Sequence, residues 1–205
     1  KGTITNTDGS YTYTPTANAN GSDSFTITVS DGTATAEQAV TVAISAVDDS
    51  PVADSTSSLS VTEDEATQTT ITASEVDGQT LTYTYSTPSK GTITNTDGSY
   101  TYTPTANENG SDSFTVTISD GTSTDVVQTV SVEIAAVNDA PVTASTSSLS
   151  VSQNTAKSGT ITATDVDGDT LTYTYSTPSK GSITSTDGSY TYTPTTGESG
   201  SDSFT

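Results

Sequence analysis

The chain has 205 residues, a formal net charge of −21, and no cysteine, histidine, tryptophan or methionine. Its four cationic residues are all lysines: Lys1, Lys90, Lys157 and Lys180. A surface this acidic repels nucleic acid phosphates and anionic lipids, so we expect neither nucleic acid binding nor direct membrane insertion. Without cysteine, disulfide bonds cannot stabilise the fold.

Three nearly identical segments organise the chain. They begin at Lys1, Lys90 and Lys180, about 90 residues apart, and the first two differ over their first 26 positions only by Ala19 in place of Glu108. A catalytic site is rarely needed three times in a row, whereas a spacer gains length with every copy. The repetition therefore favours a structural protein and not an enzyme.

The linker that recurs between the segments sets the domain boundaries. Residues 46–52 (AVDDSPV) return as residues 136–142 (AVNDAPV), and the proline in each ends a strand. We therefore predict the C-terminal part of a repeat at 1–45, one complete repeat at 46–135, and a repeat lacking its last strand at 136–205.

Alternation of apolar residues with threonine and serine predicts half-buried strands, as where Leu81, Tyr83 and Tyr85 alternate with threonines. In the complete repeat we predict seven strands, labelled A to G: 56–61, 67–73, 80–86, 91–95, 99–103, 113–118 and 125–134. Turn pairs are predicted at Asp77-Gly78, Asp97-Gly98, Asn109-Gly110 and Asp120-Gly121. The expected fold is all-β: tandem immunoglobulin-like seven-strand sandwiches arranged end to end as a rod.

Acidic loops are predicted to converge where two domains meet. If consecutive strands alternate in direction, the A–B, C–D and E–F loops and the exit linker share one end of a domain, facing the B–C loop of the next. The candidate ligands in these segments are Glu63, Asp64, Glu65, Glu108, Asp112, Asn138, Asp139, Asp165, Asp167 and Asp169. Gathered carboxylates repel each other, and Ca²⁺, which takes six to eight oxygen ligands, removes that cost. The sequence therefore predicts calcium at the domain junctions.

Some of these acidic residues have a second interpretation. The Asp165–Asp169 stretch could be an ordinary acidic turn, and Asp112 could cap the start of strand F. Asp97 and Asp120 are favoured as turn formers over ligands. An EF-hand is excluded, because the twelfth residue from Asp165 is Ser176 and not glutamate.

These motifs carry a resemblance. Residues 137–142 (VNDAPV) resemble the cadherin inter-repeat linker, and Asp165 with Asp167 resembles the cadherin Asp-x-Asp ligand pair. The stretches DVDGDTLTY, DGSYTYTP and NGSDSFTVTISDG are similar to the bacterial cadherin-like repeats, called tandem-95 or VCBS-type, of large RTX-type surface adhesins.

The resemblance covers the whole chain and implies secreted, cell-surface repeats that calcium makes rigid. It extends the ligand set to the first junction, with Asp48, Asp49, Glu75 and Asp77. The chain departs from the pattern at Gln79, where the next repeat has Asp169, and at Gln153-Asn154, where acidic residues are expected.

Three functions are compared. The favoured one is a calcium-rigidified extender of a bacterial cell-surface adhesin of the kind found in biofilms. Its partners are the neighbouring repeats, and other domains bind the adhesive ligand. The sequence leaves lateral self-association of chains open. The alternative is repeats that themselves bind carbohydrate or protein through weak multivalent contacts. An enzyme that uses Asp165 and Asp167 for glycoside hydrolysis is disfavoured.

Overall fold

The computed structural model describes residues 1–7 and 9–205, and so leaves out Asp8, the copy of Asp97 in the first repeat. The described residues form two compact units, Lys1–Ala135 and Ala136–Thr205. The strands of the first unit are β1 (Gly2–Thr7), β2 (Ser10–Pro15), β3 (Gly21–Ser30), β4 (Thr35–Ile44), β5 (Val52–Ala53), β6 (Thr56–Thr62), β7 (Thr67–Thr70), β8 (Ala73–Ser74), β9 (Thr82–Tyr85), β10 (Gly91–Thr96), β11 (Ser99–Pro104), β12 (Gly110–Ser119) and β13 (Val126–Ala135). Those of the second unit are β14 (Val142–Thr143), β15 (Lys157–Thr160), β16 (Ala163–Thr164), β17 (Gly181–Thr186) and β18 (Ser189–Pro194).

Two sheets and one small ladder form the complete repeat. One sheet has the order β6-β13-β12-β9 and the other the order β10-β11-β7, while β5 pairs with β8. Neighbouring strands are antiparallel, except that β6 runs parallel to β13. The prediction of an all-β fold of sandwich repeats is confirmed.

Residues at every second position of the central strands form the core between these sheets. On β12, Phe114, Val116 and Ile118 are at most 2% exposed, and Tyr102 on β11 is fully buried. The rings of Tyr102 and Phe114 stack with their centroids 6.3 Å apart, which joins the two sheets. Apolar side chains on one face only, with threonine and serine on the other, give a sandwich with one lean core.

The first 45 residues repeat the pairing of the complete repeat. Strands β1 and β2 form a hairpin in the register of β10 and β11, with Gly2 opposite Pro15 as Gly91 is opposite Pro104. Strands β3 and β4 pair as β12 and β13 do. In this part the ring of Phe25 packs against those of Tyr11 and Tyr13.

The unit 136–205 has the corresponding three-stranded sheet, in the order β15-β18-β17, and a short β14–β16 ladder. Its buried hydrophobic residues are Tyr190 and Tyr192 on β18, whose rings contact Phe204.

The predicted strands agree closely with the observed ones, with two differences. Predicted strand B (67–73) ends at Thr70, and β8 begins separately at Ala73. The turn predicted at Asn109-Gly110 lies earlier, where Asn107 has a φ of 60°. Gly110, at φ 84°, is instead the first residue of β12. Asp97 and Gly98 both have positive φ, as a two-residue type I′ hairpin requires.

The described residues contain no helix that is long and apolar enough to cross a membrane.

Gly91 supports the buried tyrosine across the hairpin. A Cβ atom there would lie 2.7 Å from Thr103 O and 2.7 Å from Tyr102 Cζ, so the ring covers the glycine. We expect Gly91→Ala to lower the free energy of unfolding by about 1–3 kcal/mol, because it forces the ring or the backbone to move. Thr92→Ala, at an exposed neighbouring position, is the control. Urea melts of both variants test this, and equal midpoints for Gly91→Ala and the parent chain would contradict it.

Candidate functional site

In the unit 1–135, the linker before the complete repeat lies against the predicted B–C loop. The backbone N–H of Asp49 donates to Asp77 Oδ2 at 2.8 Å. Within the loop, Glu75 accepts from the N–H groups of Asp77 at 3.0 Å and Gln79 at 2.9 Å. Gln79 Nε2 donates to Asp48 Oδ1. Four predicted ligands, two from the linker and two from the loop, are therefore brought together.

The unit 136–205 repeats this arrangement. The N–H of Asp139 donates to Asp167 Oδ2 at 2.6 Å. Asp165 Oδ1 accepts from the N–H groups of Asp167 at 3.0 Å and Asp169 at 3.2 Å. Asn138 Nδ2 donates to Asp139 O at 2.9 Å. The geometry of linker and loop thus recurs although the residues differ.

The differences between the two copies compensate each other. Asp48 and Gln79 in one copy correspond to Asn138 and Asp169 in the other, so a carboxylate and an amide exchange places. Each copy therefore keeps the same number of acidic side chains in its linker and loop. Gln79, considered without the linker, was predicted to be a departure from the pattern, whereas the sequences of linker and loop taken together contain the exchange.

The A–B loop meets the E–F loop within the complete repeat. Glu63 is 1% exposed, and Asn109 Nδ2 lies 3.5 Å from its Oε2. Asp64 adopts a φ of 63° and its Oδ1 accepts from the N–H of Asn107 at 3.1 Å. The predicted ligands Glu65 and Glu108 lie in the adjoining turns, with their N–H groups bonded to backbone oxygens.

In the unit 136–205, amides replace the acids of the A–B loop without changing its backbone. Asn154 has a φ of 60°, and its Oδ1 accepts from the N–H of Gly197 at 3.0 Å. Asparagine tolerates this left-handed conformation as aspartate does. The loop is therefore kept, while Gln153 and Asn154 carry no charge.

The donor set fits calcium by its chemistry, since carboxylate and amide oxygens are the ligands that hard divalent cations prefer. Hydrogen bonds from Asp77 N–H and then Gln79 N–H lower the pKa of Glu75 despite partial desolvation, which keeps this group in the ionised form that binds metal. Among residues 1–7 and 9–205, however, no three acidic side chains are close enough together to hold an ion. The ligand assignments stay predictions.

Asp112 has a different environment from the other predicted ligands. Its Oδ1 accepts from Ser89 N–H at 3.1 Å, Ser89 Oγ at 2.7 Å and Ser113 N–H at 2.8 Å. Its Oδ2 accepts from Lys90 N–H at 2.9 Å and Tyr102 OH at 2.7 Å. Five donors from one domain thus surround this carboxylate, which supports the capping interpretation of Asp112; metal binding by it stays a prediction.

These hydrogen bonds decide the ionisation of Asp112. Desolvation opposes the charged form and alone would raise the pKa, but the donors, led by Lys90 N–H and Tyr102 OH, outweigh it. The pKa of Asp112 therefore lies well below its usual range. The same carboxylate in turn raises the pKa of Tyr102, adding to the effect of burial.

The same cluster recurs in the other copies. Asp202 accepts from Ser179, Lys180 N–H, Tyr192 OH and Ser203 N–H at 2.8–3.0 Å. Asp23 accepts from Tyr13 OH at 2.6 Å. We call Asp112 and these two equivalents the hub aspartates. The cluster was not predicted from the sequence, although a tyrosine ten residues before each hub aspartate was a visible signal.

Each repeated lysine also has a structural contact. Lys90 Nζ donates to Asn109 O at 2.5 Å, Lys1 Nζ to Asn20 O at 2.7 Å, and Lys180 Nζ to Ser199 O at 2.9 Å. The lysine thus holds the backbone just before a glycine, and in the first two copies this glycine, Gly21 or Gly110, is the first residue of the next strand. Three of the four cations of the chain are used in this way.

A cleft of about 460 Å³ opens between β9 and β10 in the complete repeat. Its lining is uncharged: Tyr83, Thr84, Tyr85, Ser86, Thr87, Pro88, Thr92, Ile93 and Asn95. The paired carboxylates that glycoside hydrolysis requires are not among these residues.

Comparison with known proteins places the chain among repeat domains. The model of the bacterial Ig domain matches residues 1–43, 48–133 and 138–205. A search of curated proteins gives no significant match.

Several solved structures align with this chain. The extracellular cadherin domains 1–5 of protocadherin gamma B2 align with a TM-score of 0.52 at 14% identity, over 95% of this chain and 43% of that one. Domains 3–6 of protocadherin gamma B7, in a cis-dimer structure, align with a TM-score of 0.52 at 15% identity, over 98% of this chain and 59% of that one. An endo-fucoidan hydrolase of glycoside hydrolase family 107 aligns with a TM-score of 0.41 at 22% identity, over 98% of this chain and 34% of that one. This chain thus spans less than two thirds of each, and the protocadherin likeness shows the fold alone. It confirms the resemblance to cadherin-like repeats.

We expect Asp112→Asn to destabilise the complete repeat by about 2–4 kcal/mol, because an amide removes the charge and turns one acceptor into a donor facing other donors. Asp97→Asn is the matched control, since asparagine tolerates the hairpin position. Thermal melts of the two variants measure the difference, and equal loss in both would contradict a special role for Asp112.

The hub aspartates also predict how stability depends on pH. Their pKa values in the folded state are lowered, so their contribution is complete above the unfolded-state pKa of about 4 and is lost as pH falls through the folded value. We expect the parent chain to lose stability below about pH 4, and Asp112→Asn to lose less over the same interval. Denaturant midpoints measured from pH 7 to pH 2 test this; parallel curves would refute it.

Proposed function

The chain belongs to the bacterial Ig domain family, and from this premise we propose that its repeats are structural extenders of a secreted, cell-surface adhesin, with calcium stiffening the domain junctions. Repeat domains of this kind are typically not enzymes. Cadherin ectodomains among the structural relatives support an extracellular location. The adhesive ligand is assigned to other domains of the parent protein.

The observation that carries the proposal is the repeated contact between linker and B–C loop. Asp49 and Asp77 in one copy, and Asp139 and Asp167 in the other, are joined by the same backbone-to-carboxylate hydrogen bond. Each contact fixes the start of a domain against one of its own loops and gathers oxygen donors there. Linker and loop both carry acidic side chains, and like charges on neighbouring segments repel, so a divalent cation bound between the two segments stabilises the arrangement.

A calcium site assembled from separate segments binds the folded chain selectively. The unfolded chain does not gather these ligands, so Ca²⁺ adds about 2.7 kcal/mol per independent site at a hundredfold excess over Kd. Because the repeats have no disulfide bonds and only a small apolar core, calcium binding gives them additional folding stability.

Charge removal at the loop tests the calcium assignment. We expect Asp167→Asn to weaken calcium binding and to reduce the rise in Tm that calcium gives, while leaving the calcium-free chain as stable or slightly more stable. Asp97→Asn makes the same chemical change at a hairpin corner and should alter neither. Calorimetric calcium titration is the measurement. If Asp167→Asn binds calcium as tightly as the parent chain, this loop is an ordinary acidic turn.

The extender role is tested by scattering. With strands rising about 3.3 Å per residue, each domain should add roughly 35–45 Å to the maximum dimension in calcium. We expect chelation to reduce that stiffness. A compact, globular small-angle scattering profile in saturating calcium would reject the extender role even if calcium binds.

A further inference from the structure

The fourth strand of the larger sheet leaves one edge open. Strand β9 is the last in the order β6-β13-β12-β9, and its register opposes Tyr85 to Val116 and Tyr83 to Ile118. The N–H of Ser86 donates to Thr115 O at 2.9 Å. In an antiparallel ladder, bonding to one neighbour alternates along the strand, so Tyr83 and Tyr85 direct their backbone N–H and C=O groups away from β12.

This edge strand is short, but it lacks the other usual forms of protection against pairing. Natural proteins protect edge strands with lysine and other charged residues, proline or bulges. The segment Gly78–Ser89 carries no charged residue, and β9 itself, of sequence TYTY, has no proline. Tyrosine and threonine favour strands, and an uncharged segment of this kind at an open edge pairs readily with another strand.

Additional apolar surface lies beside the edge. The cleft of about 460 Å³ between β9 and β10 is lined partly by Tyr83, Tyr85, Pro88 and Ile93. Both tyrosines are only partly buried. A strand added to β9 would extend the sheet across this cleft and remove their remaining exposed ring surface from water.

The distribution of charge favours a second copy of the same edge as the partner of β9. Most of the surface of a chain with net charge −21 repels a second copy, whereas two uncharged β9 edges bring no like charges directly opposite each other. Residues Thr80–Gly91 also recur unchanged as Thr170–Gly181, so a chain with many repeats presents the same segment at regular intervals. Weak individual contacts between two such chains add up through avidity.

We propose that β9 is a self-association edge, at which two copies of this chain pair antiparallel through Tyr83 and Tyr85 and so join repeats side by side. The pairing has a two-fold axis at Thr84, and Tyr83 of each chain lies opposite Tyr85 of the other. About four backbone hydrogen bonds form per pair of strands. The contact involves no ligand of the predicted calcium sites, so it does not rest on the proposed function.

Sedimentation in chelator tests the proposal on the 205-residue chain. Because like charge opposes the contact, the parent chain should dimerise more tightly at about 0.5 M than at about 0.05 M NaCl. Thr84→Lys places a charge on β9, and Thr174→Lys places one on the recurring segment, whose residues 170–180 form no strand in the unit 136–205; together they should weaken the dimer at least tenfold. Thr94→Lys with Thr184→Lys adds the same charge on β10 and β17 and should change it less than about twofold. A parent chain that stays monomeric at high salt, or equal effects of the two pairs, would overturn the proposal.

Disulfide trapping gives a second, independent test, because the chain has no cysteine of its own. In the proposed pairing the two Thr84 residues face each other as a non-hydrogen-bonded pair, with Cα atoms about 4.5 Å apart, which a disulfide can span. Thr84→Cys should therefore form a covalent dimer under mild oxidation much faster than Ser131→Cys, an exposed position on the internal strand β13. Equal rates for the two variants would refute the pairing.

Discussion

The hydrogen bonds of the Asp112 carboxylate connect three separate parts of the complete repeat, and the rest of the structure depends on them. The carboxylate joins the connection between the two sheets, at Ser89 and Lys90, to the buried ring of Tyr102 and to the first residues of β12. Placing a charge there costs desolvation energy, and five donors offset it. In a chain with few apolar residues, a charged group surrounded by donors replaces part of the stabilisation that a larger core gives other domains.

The copies differ where ions are predicted to bind and agree where the fold is held together. The hub aspartate, its tyrosine partner and the following serine are present in all three copies. In contrast, Glu63 becomes Gln153, and the position of Glu108 is Ala19 in the first copy. The residues that stabilise the fold are therefore shared by the copies, whereas several of the predicted calcium ligands are not, so the acidic loops can vary between repeats without loss of the sandwich.

Sequence pattern predicted the fold better than the site. Alternation places β6 and β9 to β13 close to their observed bounds, because the period of two directly reports a half-buried strand. The early start of β12 was missed, since it depends on Gly110 at positive φ beside the amine of Lys90. Asp112 had two interpretations, because a carboxylate just before a strand looks the same as a ligand or as a cap. Its contacts with residues 10 and 22 positions away support the capping interpretation, and no local pattern contains them.

The placement of the lysines has a consequence for proteolysis. A trypsin-like protease has only four basic residues to recognise, since the chain contains no arginine. Three of them directly precede a glycine that begins β1, β10 or β17, and the fourth, Lys157, is the first residue of β15. A protease must draw its substrate out as an extended, unpaired segment, so each of these bonds is cut only after the strand beside it has left its sheet. The chain resists such enzymes for as long as its ladders stay closed, and its digestion rate reports how often they open.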